Sequence, residues 1–293
     1  MPYYYSTPVR ISILVLYLVL LSASAFAARA FAQSGAGFDS PRSFALGRSA
    51  IADPTDEWSP NAAMRADTFS HLRILLSPDP ILSGSLSTGV SGDVPLDAGM
   101  TLGAAFSSFN NGNLFSWESY GAQLSKTFFV SGTGNQARYA SAGIRLRYVQ
   151  QNSPVADATY IPFDDLTADL GATFDLFSEL TAGVAVTHLL SLSYNQDVPI
   201  EYPDTWAGLT YRPLGDLTLH AALESPTGTP AVMHFGVRYA FDSHLFIRAG
   251  TITGIGDISA GIGVQTGSLI ADFSAVRHPT LGTSTSFGIA FLL

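Results

Sequence analysis

The chain has 293 residues, of which 47% are hydrophobic, 12% aromatic and only 13% charged, and its formal net charge at pH 7 is −9. Binding to phosphate backbones needs a basic face, so nucleic acid is excluded as a partner. Cysteine is absent, which removes disulfides, thiolate metal sites and a cysteine nucleophile, and the composition is too apolar for a disordered chain.

The first element is an export signal. A polar start with one cation, Arg10, leads into the apolar run ISILVLYLVLLSASAFA (11–27), and small residues follow in the Ala-x-Ala sites Ala25-Phe26-Ala27 and Ala30-Phe31-Ala32. Charged, apolar and small-residue regions in that order are a secretory signal peptide, here expected over 1–32. An uncleaved anchor is the alternative, since the run is near the lower limit for crossing a bilayer. No later run is apolar enough for a membrane helix, so export delivers something other than a helical membrane protein.

Residues 33–67 do not alternate. They are rich in Ala and small residues and carry Arg48, Asp53, Asp56, Glu57 and Arg65.

From about residue 68 the sequence has a period of two. In AVMHFGVRYAF (231–241), Ala231, Met233, Phe235, Val237, Tyr239 and Phe241 oppose Val232, His234, Gly236, Arg238 and Ala240. In 258–265, Ile258, Ala260, Ile262 and Val264 oppose Ser259, Gly261, Gly263 and Gln265. Side chains alternate across a strand, so each segment is a strand with one apolar face. The pattern predicts fourteen strands, at about 68–76, 81–91, 98–109, 114–129, 137–150, 164–176, 179–193, 204–212, 216–224, 231–241, 244–252, 257–265, 268–277 and 283–293. Connections after the sixth, eighth, tenth and twelfth strands are short, whereas 151–163 and 194–203 are longer, the layout of an outer-membrane barrel with short periplasmic turns.

A soluble sandwich also alternates. Three features favour the inverted arrangement, apolar face outward. The other face is Gly, Ser and Thr with isolated ions (Arg145, Asp169, Arg238, Arg248, Asp272). Aromatics fall near strand ends (Phe109, Phe115, Trp117, Phe128, Tyr148, Tyr211, Phe241), as interfacial girdles would require. The last strand, TSTSFGIAFLL, carries Phe287, Ile289, Phe291 and Leu293 on one face, suited to closing against the first because open edges are not tolerated in lipid. The expected fold is all-β, an antiparallel transmembrane β-barrel of about fourteen strands over 68–293. Outer-membrane lipid is its expected surroundings.

The segment before the barrel carries a resemblance. Ala45 and Gly47 open as in the form A-x-G-x-A-x-A-x-x-D, the small residues Ser49, Ala50 and Ala52 and the acid Asp53 follow at a shorter spacing, and Pro60-Asn61-Ala62-Ala63 comes after. This resembles the FadL-type fatty-acid transporter superfamily, and within it the PorV/PorQ branch associated with type IX secretion. The family usually reads Asn-Pro-Ala where this chain reads Ser59-Pro60-Asn61-Ala62. The resemblance implies that 33–67 form an N-terminal hatch folded into the lumen. A fourteen-stranded barrel is wider than the eight-stranded kind that side chains alone fill, so material to plug it is needed on physical grounds as well.

Enzyme chemistry is not legible. His71, His188, His220, His234, His244 and His278 show no metal-ligand spacing, no G-x-S-x-G or phosphate loop occurs, and no nucleophile–base pair stands out. Asn195, Asp197, Glu201 and Asp204 lack the calcium-loop spacing and read as an extracellular turn. The expectation is therefore no catalytic residue, no metal and no cofactor. The leading reading is passage or binding of a small hydrophobic compound. Phe44, Leu46, Trp58 and Met64 of the hatch would hold its apolar part, and Arg145 or Arg238 in the lumen would meet a carboxylate. The alternatives are an accessory of protein secretion, with secretion-system proteins as partners, and a structural envelope protein.

Overall fold

A computed structural model describes residues 40–53, 59–63, 70–79, 85–110, 116–152, 163–193, 203–254, 256–280 and 282–293. The expected signal peptide, Trp58, Met64, Phe115 and most of the two longer loops lie outside these residues. Fourteen antiparallel strands follow one another around a closed barrel. They are β1 (His71–Asp79), β2 (Ser85–Leu96), β3 (Met100–Asn110), β4 (Ser116–Ser131), β5 (Arg138–Asn152), β6 (Phe163–Asp175) and β7 (Leu180–Ser193). The second half is β8 (Asp204–Tyr211), β9 (Leu217–Ser225), β10 (Val232–Ala240), β11 (Leu245–Ile252), β12 (Asp257–Thr266), β13 (Leu269–His278) and β14 (Gly282–Leu292).

The apolar face looks outward, as the alternation predicts. Ile74, Leu102, Ile144, Leu170, Val184, Leu209, Phe235, Ile262 and Phe287 are all exposed on the outer wall. Their strand neighbours Ser91, Thr101, Ser125, Ser141, Thr173, Thr181, Thr210, Ser259 and Ser274 are buried inside. Such an arrangement is stable only where the outer solvent is lipid, so the fold is a transmembrane barrel.

Closure is made by the last strand. β14 pairs with β1 from His71↔Leu292 to Leu76↔Phe287, and Leu293 exchanges backbone hydrogen bonds with Ser70, 2.8 and 3.3 Å. No edge is left unpaired, which lipid requires.

The short connections lie at one end: Leu176–Glu179, Arg212–Asp216, Phe241–His244 and Gly267–Ser268. That end also holds Ser70 and Leu293. The barrel wall is taller on one side: β4 and β5 run 16 and 15 residues, whereas β8 and β11 run 8.

Two expectations need correction. β2 extends to Leu96 rather than stopping near residue 91, because Gly89, Gly92 and Pro95 blur the alternation while the pairing with β3 continues through Leu96↔Met100. Phe109 and Trp117 do not join an outer girdle. Phe109 shares the inward parity of Ser107 and is buried, and its ring stacks on Trp117 at 6.0 Å and 13°. Phe128 and Tyr211 do lie on the outside.

Candidate functional site

The lumen is occupied by the chain's own N-terminal residues. Pro41–Ala45 forms a single helical turn, α1. Ser40 caps it, its hydroxyl accepting from the Ser43 N–H at 3.0 Å, and Pro41 opens it with a preset φ and no N–H left over. A 3₁₀ turn follows at Ala50–Ala52, and Ser59–Ala63 makes a third described piece. Ala45, Leu46, Ser49, Ile51, Ala52 and Ala62 are wholly buried.

The wall receives this inner segment on glycines. A Cβ on Gly236 or Gly250 would stand 2.7 Å from the Leu46 carbonyl, and one on Gly183 would stand 2.6 Å from that of Ile51. On Gly143 and Gly171 it would strike the Ala62 carbonyl and the Asn61 side chain. The glycines pair across strands, Gly143 with Gly171, Gly183 with Gly208, and Gly236 with Gly250. They form a shallow track in which backbone meets backbone. Gly47 itself has φ 61°, a left-handed conformation that glycine tolerates, and lies against the Thr251 backbone.

Hydrogen bonds fix the segment along that track. Ser259 Oγ donates to the Ala45 carbonyl at 3.1 Å and His234 Nδ1 to that of Gly47 at 2.8 Å. Asn61 Nδ2 donates to the carbonyls of Ile51 and Ala172, at 2.8 and 3.1 Å, and Asn61 Oδ1 accepts from the Ala63 N–H. Gln123 Nε2 donates to the Ala62 carbonyl at 2.9 Å. Asp53 accepts from Arg42 at 3.2 Å and from Arg212 of the β8–β9 turn at 3.4 Å. Ile51 packs with Ala185, Trp206 and Ala222.

The predicted ligand residues separate. Leu46 is sealed between the segment and the wall, and Phe44 sits beneath the Arg48 guanidinium at 5.4 Å. Arg145 donates from Nε to Gln123 Oε1 at 2.8 Å and faces Asp169 at 4.0 Å, so it braces the glutamine that holds Ala62. Arg145 and Arg238 lie on opposite sides of the inner segment. Arg145 follows Gly143 toward the long-loop end of β5, whereas Arg238 follows Gly236 toward the short-turn end of β10.

On the long-loop side, charges of both signs interlock. Arg147 lies 3.6 Å from Asp169 and 2.9 Å from His188 Nε2, and Asp169 accepts the His188 N–H at 2.9 Å. His188 has φ 54°, at the point where the β6–β7 pairing slips. On the short-turn side a cavity of about 250 Å³ opens between α1 and the wall of β1, β10, β11, β12, β13 and β14. Arg238 lines it, with Arg42, Arg73, Arg248, Phe246 and Leu75. The last five escaped sequence reasoning as a group. The signal available was an arginine on the inward parity of β1, β10 and β11, but the approach of β1 to the other two across the lumen depends on barrel closure.

No protein-family model matches the chain, and no curated protein matches it. Among solved structures, the toluene transporter TodX of Pseudomonas putida aligns over 87% of this chain and 97% of its own, with a TM-score of 0.52 and 11% identity. The KdgM porin in complex with disordered oligogalacturonate aligns over 75% and 98%, with a TM-score of 0.42 and 8% identity. The chain is thus similar to TodX in fold: a closed antiparallel membrane barrel.

Proposed function

We infer that this chain is an outer-membrane barrel that binds a small hydrophobic compound and passes it across the membrane. The observation that carries the reading is the inner segment seated across the lumen on a glycine track and pinned by wall side chains from β4, β10 and β12. An open diffusion pore has no need of such a segment. A solute entering this barrel must instead bind beside it, and selectivity arises from what that binding rewards. TodX, by its name a toluene transporter, supports the choice of an apolar solute through the shared barrel architecture. The FadL-type pattern at Ala45–Asp53 supports it too, since its residues are those seated on the wall.

The test is uptake into liposomes carrying the purified barrel. Toluene is expected to enter faster than into empty liposomes, while sucrose is excluded. Equal toluene entry with and without the protein, or free passage of sucrose, overturns the reading. An accessory role in protein secretion is the competing reading, and co-purification with a large translocon from native membranes would favour it.

A further inference from the structure

The cavity on the short-turn side has a chemistry that an apolar solute does not explain. Four arginines line it, Arg42 from α1, Arg73 from β1, Arg238 from β10 and Arg248 from β11. Three have carboxylate partners: Arg42 with Asp53 at 3.2 Å, Arg73 with Asp93 at 3.1 Å, and Arg248 with Asp272, which also lines the cavity. Arg238 has neither a carboxylate nor a hydrogen-bond acceptor among the described residues, and its Nε is buried. Its guanidinium lies 4.4 Å from the centroid of the Phe246 ring. Stacking on a ring face occupies the flat side of a guanidinium and leaves its in-plane N–H donors free.

A half-buried cation without an acceptor is costly, and an anion offsets that cost. The shape of the donor set narrows the ligand. A planar fork of N–H groups matches an oxyanion and binds it through two parallel hydrogen bonds. A volume of about 250 Å³ lies just below the roughly 300–1,000 Å³ of pockets for drug-sized molecules, so the group held is compact. Among the described wall residues, the opposite side of the inner segment shows no such surplus. There Asp165, Asp169, Asp204, Glu224 and Asp257 outnumber Arg145 and Arg147.

We propose that the cavity between α1 and β1, β10, β11, β12, β13 and β14 is a binding site for a compact oxyanion, a phosphate or carboxylate group, with Arg238 as its main ligand. The site goes beyond the passage of a hydrophobic compound and does not depend on it. The same chemistry is offered by a free inorganic anion and by the headgroup of an amphiphile.

Calorimetric titration of the full chain in a neutral detergent tests the proposal, with inorganic phosphate in one arm and octyl phosphate, below its micelle concentration, in the other. Saturable binding in the phosphate arm identifies a free oxyanion; binding of octyl phosphate alone identifies a headgroup. In either case Arg238→Gln is expected to weaken binding about tenfold or more, since hydrogen bonds to charged groups are involved. Arg277→Gln, exposed on the outer face of β13, is expected to change it less than about twofold. Heat-modifiable gel mobility reports folding of each variant. Arg238→Lys, which keeps the charge and loses the fork, takes the place of Arg238→Gln if that variant does not fold, with the same weakening expected. No saturation by either probe, or equal weakening by Arg277→Gln, overturns the proposal. Toluene uptake is unaffected by that outcome, so the two readings fail separately.

Discussion

Gly236 of β10 lies directly opposite Gly250 of β11, and the Leu46–Gly47 backbone runs across both where any side chain would collide with it. The pair begins a track that continues through Gly183 and Gly208 to Gly143 and Gly171. Glycine in a strand weakens it, because backbone entropy is lost and no side chain packs. Here the weakness is offset by the segment that the missing side chains admit.

The track predicts that a methyl group unseats the segment. Gly143→Ala drives a Cβ into the Ala62 carbonyl, an overpacking that costs about 1–3 kcal/mol. Residues 40–63 are expected to become protease-sensitive in a barrel that still folds. Gly215→Ala, with open space around it, is the control. Equal protease resistance in both would show that the segment is not seated as described.

Asn61 holds three backbone groups at once, from Ile51, Ala172 and Ala63. Its replacement by Ala removes the donor to the buried Ile51 carbonyl and the acceptor of the buried Ala63 N–H, at a cost of about 1–3 kcal/mol. Hydrogen exchange at Asp53 and Ala63 is expected to accelerate, while amides of the β5–β6 ladder stay protected. Unchanged exchange at Ala63 would contradict the assignment.

Arg145 acts through Gln123. A double-mutant cycle of Arg145→Met and Gln123→Leu, read as seating of the inner segment by proteolysis, is expected to give a coupling of about 0.5 kcal/mol or more. Additive effects would return Arg145 to the role of a solute ligand.

The outward apolar face predicts a steep penalty for charge. Ile262→Arg, at the middle of the exposed side of β12, is expected to cost about 2–4 kcal/mol in reversible unfolding from lipid vesicles. A neutral result would invert the assignment of inside and outside.

Outside the membrane, the β10–β11 turn carries its own pH dependence. The Asp242 carboxylate accepts the N–H groups of His244 and Leu245 at 2.7 and 2.9 Å, which holds its pKa below the ordinary 3.8. The folded value is depressed, so the turn's stabilisation is present above the unfolded pKa and is lost as the pH falls through the folded one. A carboxyl-carbon NMR titration is expected to give a midpoint below 3.8, and a midpoint at or above it would rule out these hydrogen bonds.

Much of the wall was legible in the chain alone. The period of two is a local property, set by pleat geometry, so Val232–Ala240 and Asp257–Thr266 are found within a residue or two of where the alternation places them. Inward parity placed Arg145, Asp169, Arg238, Arg248 and Asp272 in the lumen for the same reason. Where small residues blur the pattern, as in Gly89–Pro95, the boundary moved. Phe109 and Trp117 depart from the girdle because parity along the strand, not nearness to its end, decides which side of the wall a side chain faces.

The site was decided at a longer range. Arg73, Arg238 and Arg248 are brought to one cavity by closure of β1 on β14, a contact between the two ends of the barrel sequence. Glycines are common in strands, and nothing local marks which of them face a backbone more than ninety residues away in the chain, as Gly171 faces Asn61. The sequence by itself determined the strands, their greasy outer face and the charges turned inward, because strand geometry acts between neighbours. Only the tertiary structure decided that the inner segment parts Arg145 from Arg238 and leaves one of them without a carboxylate, because that division is made by groups that meet only when the barrel closes around them.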